Sequence, residues 1–262
     1  MRFKLATLLA AATGVAVTQV ASAADIPAPV YKAPPAAIVS QTWNGCYVGA
    51  NGGYGWQRRQ DAIGDNGSSF LDLGTLRPSG GFGGGQVGCN YQTGFAVLGL
   101  EADFQGSGIR DSFGPTLLPA GVLTASGRES LRWFGTVRGR LGWAVDRVLL
   151  YVTGGLAYGK TDYSVSGFDA AANHFEATSN ATKAGYVIGG GAEWAFLGAW
   201  SLKTEYQYIN LGTIGPLTAT VFNAAGVPNG VTVTTTSIRN DYHTVRLGLN
   251  YRFGASPVWL RP

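Results

Sequence analysis

Eight charged residues recur at alternate positions within segments that are otherwise apolar or small. On neighbouring strands, such acids and bases could form ion pairs in a packed interior, or they could line a pore and select ions by charge. Eight strands enclose an interior that side chains nearly fill, which favours ion pairs over a wide permanent channel. The eight residues are Glu101, Asp103, Arg138, Arg140, Glu193, Lys203, Glu205 and Arg246.

The positions of these residues within their segments predict particular ion pairs. Counted upward from the tight connections, Glu101 reaches about the height of Arg140, and Asp103 reaches about the height of Arg138. We therefore expect a salt-bridged interior in which each acid has a basic neighbour. A further predicted pair is Glu193 with Lys203.

Two cysteines, Cys46 and Cys89, lie near the same ends of two neighbouring antiparallel segments. A leader at the start of the chain predicts export, and exported proteins meet conditions in which thiols can oxidise. We predict a cross-strand disulfide, which needs the two Cα atoms within about 7 Å of each other. Two buried free thiols are the alternative.

Other motifs give little support for catalysis. His174 lies in a predicted loop and His243 begins the last predicted strand, and neither has a neighbouring partner that suggests general-base or metal chemistry. The glycine run 80–85 resembles a phosphate loop, but such a loop is followed by a helix, whereas a strand follows here. We expect no enzyme activity, no catalytic or metal-binding residues and no cofactor.

The elements that position the charged residues are eight stretches in which apolar residues alternate with small or polar ones. Each stretch is longer than the 9–11 residues, roughly, that a tilted transmembrane strand needs. The predicted strands are 43–56, 80–92, 95–106, 129–144, 148–164, 182–196, 200–212 and 242–253.

The connections between these stretches alternate in length. Short ones fall near 92–95, 144–147 and 197–199, and long ones at 57–78, 107–127, 165–181 and 213–242. This asymmetry is typical of outer-membrane barrels, whose short turns lie in the periplasm. The sequence therefore predicts an all-β fold, an eight-stranded antiparallel transmembrane β-barrel with short periplasmic turns and four long extracellular loops.

Alternation also assigns side chains to the two faces of each strand. In the fourth predicted strand, Leu131, Trp133 and Val137 should face lipid, while Arg132 and Arg138 should face the interior. Charged residues make up 13% of the chain against roughly 25% in typical soluble proteins, which suits a wall that faces lipid. Aromatic residues near the strand ends predict two interfacial girdles. The predicted girdle residues are Trp43, Trp56, Tyr91, Trp133, Trp143, Trp194, Trp200, Tyr208, Tyr251 and Phe253.

The ends of the chain have their own signals. Residues 1–23 combine early positive charge, an apolar run and a small-x-small cleavage site at Ala21 and Ala23, which predicts a signal peptide. Residues 24–42 are Pro-rich and predict an extended periplasmic arm. The barrel then occupies 43–253, and 254–262 form a C-terminal tail. Removal of the signal leaves a net charge near +2, which gives no support for nucleic-acid binding.

Four blocks of the sequence resemble a known family. The segments 24–32, 43–55, 85–92 and 245–253 are similar to the major outer-membrane immunogenic proteins of alphaproteobacteria, within the OmpA-like eight-stranded barrel superfamily. The resemblance implies an abundant surface barrel that supports envelope integrity and that is exposed to immune recognition in pathogenic relatives. It also implies a porin role, which is proposed for some members.

We therefore expect a structural barrel of the bacterial outer membrane with surface-exposed loops. The alternatives are a small-solute porin, which conductance would distinguish, and a surface adhesin that acts through the long loops. Expected partners are outer-membrane lipids, lipopolysaccharide and the barrel-assembly machinery. A homo-oligomer and contacts with host surfaces stay open, and no nucleic acid is expected.

Overall fold

The computed structural model describes residues 42–58, 60–65, 70–117, 123–169, 171–235 and 237–254, and within these ranges it has twelve strands. No helix in the described ranges is long and apolar enough to cross a membrane. The predicted signal peptide and all but the ends of the predicted arm and tail lie outside the described residues. The strands are β1 (Gly45–Trp56), β2 (Gln60–Asp65), β3 (Phe70–Leu76), β4 (Ser79–Thr93), β5 (Ala96–Leu117), β6 (Leu123–Val145), β7 (Val148–Asp169), β8 (His174–Leu197), β9 (Trp200–Ile214), β10 (Thr218–Phe222), β11 (Pro228–Thr235) and β12 (Ile238–Arg252).

Eight of these strands form a closed ring. Strand β1 pairs with β12 on one side and with β4 on the other. The order continues through β5, β6, β7 and β8, and β9 closes the ring by pairing with both β8 and β12. Every pair is antiparallel, so the backbone groups of these strands find their partners inside the ring. The predicted eight-stranded barrel is thus confirmed.

Three tight turns lie at one end of the ring, which we call the short-turn end. Gly94 follows β4, Asp146 follows β6 and Gly198 follows β8, and their φ angles are 58°, 48° and 50°. This left-handed conformation matches the twist of a two-residue hairpin, and glycine adopts it at no steric cost. The short predicted connections therefore have the turn chemistry that their sequences indicate.

The opposite end, which we call the long-strand end, is more regular than the sequence predicts. Strands β5 to β8 are 22 to 24 residues long and run through much of the predicted loops 107–127 and 165–181. The predicted loops 57–78 and 213–242 contain β2, β3, β10 and β11, which join the wall where Phe222 pairs with His174 and Thr234 with Asp65. Polar Ser- and Thr-rich stretches favour loops in the sequence, but a strand that continues beyond a bilayer also needs polar residues on its outer face.

One strand changes its alternation partway along its length. In β6, Arg138 faces the interior, but Arg132, predicted inward, lies outside, and Leu131, predicted outward, is buried. The register with β7 shifts between Leu131 and Trp133, where β6 contributes one extra residue. This β-bulge exchanges the two faces of β6 above that point, because side-chain direction repeats every two residues.

Side chains fill the interior in layers that follow one another from the short-turn end. A charged layer contains the eight residues predicted from the sequence. The lower apolar cluster lies below it and consists of Trp43, Val97, Leu149, Tyr151 and Ala195. The middle apolar cluster lies above it and consists of Phe82, Ile109, Leu131, Phe134, Ala157, Val187, Ile209, Leu211 and Tyr242. The upper apolar cluster fills the long-strand end with Leu76, Ala125, Tyr163, Val165, Phe175, Ala177, Ile214, Ala219 and Val233.

Candidate functional site

The charged layer is the candidate functional site, because it brings acids and bases from five strands into one buried volume. Strand β5 supplies two acids, β6 two arginines, β8 one acid, β9 a lysine and an acid, and β12 one arginine. Four carboxylates therefore meet four cations within this set. The eight side chains are all buried: Glu101, Asp103, Arg138, Arg140, Glu193, Lys203, Glu205 and Arg246.

Arg138 lies at the centre of the layer. Its guanidinium contacts Glu101, lies 2.8 Å from Oδ2 of Asp103 and lies 2.5 Å from Oε1 of Glu205. A planar guanidinium with five N–H donors can bind several carboxylates at once, which an ammonium does less well. One arginine thus links acids from β5 and β9 across the interior.

Arg246 and Lys203 approach the same acids from β12 and β9. Arg246 lies 3.0 Å from Oδ2 of Asp103 and 2.7 Å from Oε1 of Glu205. Nζ of Lys203 lies 2.8 Å from Oε1 of Glu101 and 3.8 Å from Oε2 of Glu205. The three acids therefore share three cations, so the network does not divide into isolated pairs.

Arg140 and Glu193 form the lower part of the layer. Nη2 of Arg140 lies 2.8 Å from Oε2 of Glu193. The other carboxylate oxygen of Glu193 accepts hydrogen bonds from Oγ of Ser201 at 2.6 Å and Nδ2 of Asn250 at 2.8 Å. Glu193 thus has partners on β6, β9 and β12.

Two of the three predicted ion pairs are present, since Arg138 lies 2.8 Å from Asp103 and Arg140 lies 3.4 Å from Glu101, although the strand heights that predict them are not the observed ones. Glu101 lies opposite Arg138 rather than Arg140 in the ladder between β5 and β6. The predicted register of β5 against β6 was wrong by two residues. Ala96, the first residue of β5, pairs with Trp143, and this register brings Glu101 to the level of Arg138. Counting from the turn misplaced this register. The other predicted pair, Glu193 and Lys203, does stand in register, but Lys203 reaches across the interior to Glu101.

Sequence reasoning missed two tyrosines in the network. Tyr47 donates a hydrogen bond to Oε2 of Glu101 at 2.5 Å, and Tyr151 donates one to Oε2 of Glu205 at 2.5 Å. The guanidinium of Arg140 also lies 4.0 Å from the centre of the Tyr151 ring. The signal was present, since Tyr47 alternates with Cys46 and Val48 on the outer face. Aromatic residues of barrel strands usually indicate interfacial girdles, which makes an inward tyrosine difficult to recognise from the sequence.

Outward-facing side chains form an apolar belt around the charged layer. Val137 and Leu156 are more than half exposed on this outer wall. Along β6 the belt runs from Trp143 to Trp133, and ten residues at about 3.3 Å each with a tilt near 40° span roughly 25 Å. Nine of the predicted girdle residues are partly or fully exposed: Trp56, Tyr91, Trp133, Trp143, Trp194, Trp200, Tyr208, Tyr251 and Phe253.

Trp43 was wrongly predicted as a girdle residue. Its side chain is fully buried within the lower apolar cluster, and the guanidinium of Arg252 lies 4.6 Å from the centre of its ring. Trp43 precedes the first residue of β1, Gly45, so strand alternation does not set its direction. It covers the charged layer at the short-turn end.

The predicted disulfide is present. Cys46 of β1 stands directly opposite Cys89 of β4, and the two Cα atoms are 3.9 Å apart. Both residues lie on the outer face near the short-turn end. The bond therefore joins the two strands outside the charged layer, and the alternative of two buried free thiols is wrong.

Glu129 is a further buried acid, and it lies above the bulge of β6, beyond the apolar belt. Its carboxylate accepts a hydrogen bond from the Tyr242 hydroxyl at 2.9 Å. Burial raises the pKa of Glu129 to about 7, and the charges of Asp111 and Asp241 act in the same direction while the Tyr242 hydrogen bond opposes them. Unlike the acids of the charged layer, Glu129 has no ion pair with a base of the described residues.

The chemistry that this arrangement supports is internal charge compensation. Each acid of the charged layer contacts at least one cation, and apolar clusters enclose the layer from below and above. Buried ion pairs offset their desolvation cost only when the geometry is good and the remaining polar atoms have partners. Among the described residues, no group of three or more histidine, cysteine or carboxylate side chains is arranged to hold a metal ion.

Comparisons with known proteins extend over nearly the whole chain. A family model described as "Outer membrane protein beta-barrel domain" matches residues 7–253. The 31 kDa outer-membrane immunogenic protein of Brucella melitensis biotype 1 is 40% identical over 245 residues, which cover 89% of this chain and 93% of that protein. The 22 kDa outer membrane protein of Rhizobium leguminosarum bv. viciae is 34% identical over 169 residues, covering 64% of each chain.

Solved structures with similarity to this chain include an outer membrane protein and a bacterial surface protein. OprG from Pseudomonas aeruginosa has a TM-score of 0.43 at 10% identity, with 81% of this chain and 98% of that chain covered. Neisserial surface protein A has a TM-score of 0.37 at 12% identity, with coverage of 79% and 97%.

Proposed function

The chain belongs to the outer membrane protein beta-barrel family and lies in the bacterial outer membrane, and from this premise we propose that it is a closed structural barrel that contributes to envelope integrity. In this family architecture short turns face the periplasm, so the long-strand end projects outward. No catalytic step is assigned to the chain. We also propose that the chain divides into signal peptide, arm, barrel and tail. The barrel-assembly machinery is proposed as a partner.

The observation that carries the proposal is the enclosure of the charged layer. A pore that selects ions needs charged groups in contact with a continuous column of water. Here Arg138 and Glu101 are buried, Trp43 covers them from below, and Phe134 and the rest of the middle apolar cluster cover them from above. The charges are thus used to hold opposite walls of the barrel together.

Conductance in planar lipid bilayers tests the proposal. We expect no steady unitary conductance from the purified full-length protein, whose folded state is checked by heat-modifiable migration on gels. The porin alternative predicts regular steps whose ion selectivity changes with Lys203→Glu, a reversal of charge inside the barrel. Lys160→Glu on the outer wall serves as the matched control. Steps in the original protein that respond to Lys203→Glu but not to Lys160→Glu would overturn the closed barrel.

An adhesin is the second candidate function, and side chains at the long-strand end favour it. Val227 and Val231, at and beside the tip of the hairpin of β10 and β11, are 55% and 44% exposed. Exposed apolar side chains at the outer end of a barrel are suited to contact another surface. Bacteria that display the protein with both Val227→Ser and Val231→Ser should attach less to host cells than bacteria that display the original protein, if this candidate is correct. Unchanged attachment with an equal amount of folded barrel would count against it.

A further inference from the structure

A positively charged groove lies on the outer wall of the barrel, outside the charged layer. It has a volume of about 480 Å³, which is within the usual range of roughly 300–1,000 Å³ for small-molecule sites. Three arginines from β5 and β6 line it together with hydroxyl and amide side chains from β6, β7 and β8. The lining residues are Arg110, Arg128, Ser130, Arg132, Asp162, Tyr163, Ser164, Thr178 and Asn180.

The sheet lattice brings the three arginines together around Ser130. Arg110 stands directly opposite Ser130 in the ladder between β5 and β6, and Arg128 is two residues away on the same face of β6. The bulge places Arg132 on this face as well, although simple alternation predicts it inside. Directly paired side chains are about 5 Å apart and those two residues apart about 7 Å, so three guanidiniums can reach one ligand.

The arginines of the groove have little internal compensation. Arg132 pairs with Asp162, which stands opposite Ser130 on β7 and orients that guanidinium. Arg110 and Arg128 are exposed, and neither forms an ion pair with a carboxylate of the described residues. The groove therefore keeps an excess of positive charge, in contrast to the balanced charges of the interior.

The height of the groove places it at the level of lipid headgroups. Trp133 marks the upper edge of the apolar belt, and its ring lies 5.5 Å from that of Phe104 and 6.2 Å from that of Tyr158, measured between centroids. Amphipathic rings of this kind favour the interface between hydrocarbon and water. The arginines begin at the next residue of β6, Arg132, on the outward side. They thus face the zone where outer-leaflet headgroups lie.

We propose that Arg110, Arg128 and Arg132 bind a phosphate group of a sugar headgroup in the outer leaflet, namely the phosphorylated disaccharide of lipid A. Guanidinium forks match phosphate oxygens in bidentate geometry, and the bond is charge-assisted. Ser130, Ser164 and Thr178 offer hydroxyls for the sugar. This site goes beyond the proposed structural role, since a closed barrel needs no particular lipid.

Native mass spectrometry of the full-length protein in detergent can test the site with bisphosphorylated lipid A as the probe. Arg110→Ser, Arg128→Ser and Arg132→Ser combined should raise the apparent dissociation constant at least tenfold. A matched control with Arg58→Ser, Arg77→Ser and Arg147→Ser removes the same charge from other exposed positions and should stay within about twofold. Lipid A without phosphates should bind the original protein as weakly as the groove variant binds lipid A.

Equal binding of lipid A by the groove variant and the original protein would overturn the site, as would equal binding of dephosphorylated lipid A. Inositol hexakisphosphate distinguishes a soluble phosphate source from a lipid source. Failure to displace lipid A supports the lipid headgroup, and displacement at matched phosphate concentration would overturn that assignment. The groove variant should keep heat-modifiable migration and a closed barrel. A negative result for lipid A binding would therefore leave the proposed structural role intact.

Discussion

The two halves of β6 place their arginines on opposite faces. Below the bulge Arg138 points inward and Val137 points outward, whereas above it Leu131 points inward and Arg128 outward. The solvent outside the wall explains the difference, since lipid accepts apolar side chains in the lower half and water accepts charged ones in the upper half. The same barrel therefore has a charged interior inside the membrane and a mainly apolar interior beyond it, where Glu129 is a buried acid.

Removal of the central arginine is expected to have the largest effect on the lower half. Arg138→Ala leaves Glu101, Asp103 and Glu205 short of a partner, and breaking a buried ion network costs about 3–5 kcal/mol. The midpoint of thermal unfolding in detergent, followed by heat-modifiable migration, should fall. Arg132→Ala on the outer wall of the same strand is the control and should cost less than about 1 kcal/mol. Equal effects of the two changes would show that the halves do not differ.

Truncation of an aromatic residue tests whether the upper half is held by apolar packing. Phe175→Ala opens a cavity in the upper apolar cluster and should cost about 3–4 kcal/mol. Hydrogen exchange should increase in the upper parts of β7 and β8 and in β10, while β9 around Lys203 stays protected. Phe168→Ala, at an exposed position of β7, should change little. Faster exchange around Lys203 would mean that the two halves unfold as one unit.

An arginine added to the outer wall should distinguish lipid from water as the surrounding solvent. Val137→Arg places a charge near the middle of the apolar belt and should cost about 2–4 kcal/mol in urea unfolding from liposomes. Thr220→Arg, on an exposed position of β10, should be close to neutral. A similar cost at both positions would contradict the bilayer boundary at Trp133.

The smallest predicted effect is a pH dependence of the upper half. Because the folded-state pKa of Glu129 is raised to about 7, the native state keeps a proton that the unfolded state loses from about pH 4.5 upward. Stability of this half should therefore fall between about pH 4.5 and pH 7, by at most roughly 3–4 kcal/mol for a pKa difference of about 2.5, and stay level above. Glu129→Gln should remove this slope in hydrogen exchange of β6 and β12. A slope that persists in the variant would assign it to another group.

The membrane-spanning half could be predicted from the sequence to a large extent. Strict alternation identifies the face of Glu101, Lys203 and Arg246, because every inward position in a lipid-bound strand contrasts with an apolar neighbour. Individual ion pairs could be predicted only in part, since two of the three predicted pairs are present, but Lys203 contacts Glu101 and Glu205 instead of Glu193. Long side chains such as Lys203 reach across the interior, and the strand register depends on turn details that residue counting does not resolve.

The upper half was largely missed for a physical reason. Its strands expose Ser, Thr and Asn to water and bury a few apolar residues, as β11 does, and this composition also occurs in loops. The bulge at Arg132 added a second obstacle, since one extra residue exchanges the faces of everything that follows it in the strand. Trp43 escaped prediction because it precedes the region where alternation applies.

The bulge at Arg132 has a consequence for exchanging surface segments between relatives. Since the phase of β6 is reset at this residue, a chimera that takes its outer half from another barrel must carry the same extra residue at the junction. A graft spliced without it would turn Leu131 and Ala125 toward water and Arg128 toward the packed interior. Donor segments should thus be chosen first by whether the residue at the junction faces inward or outward, and only then by their length.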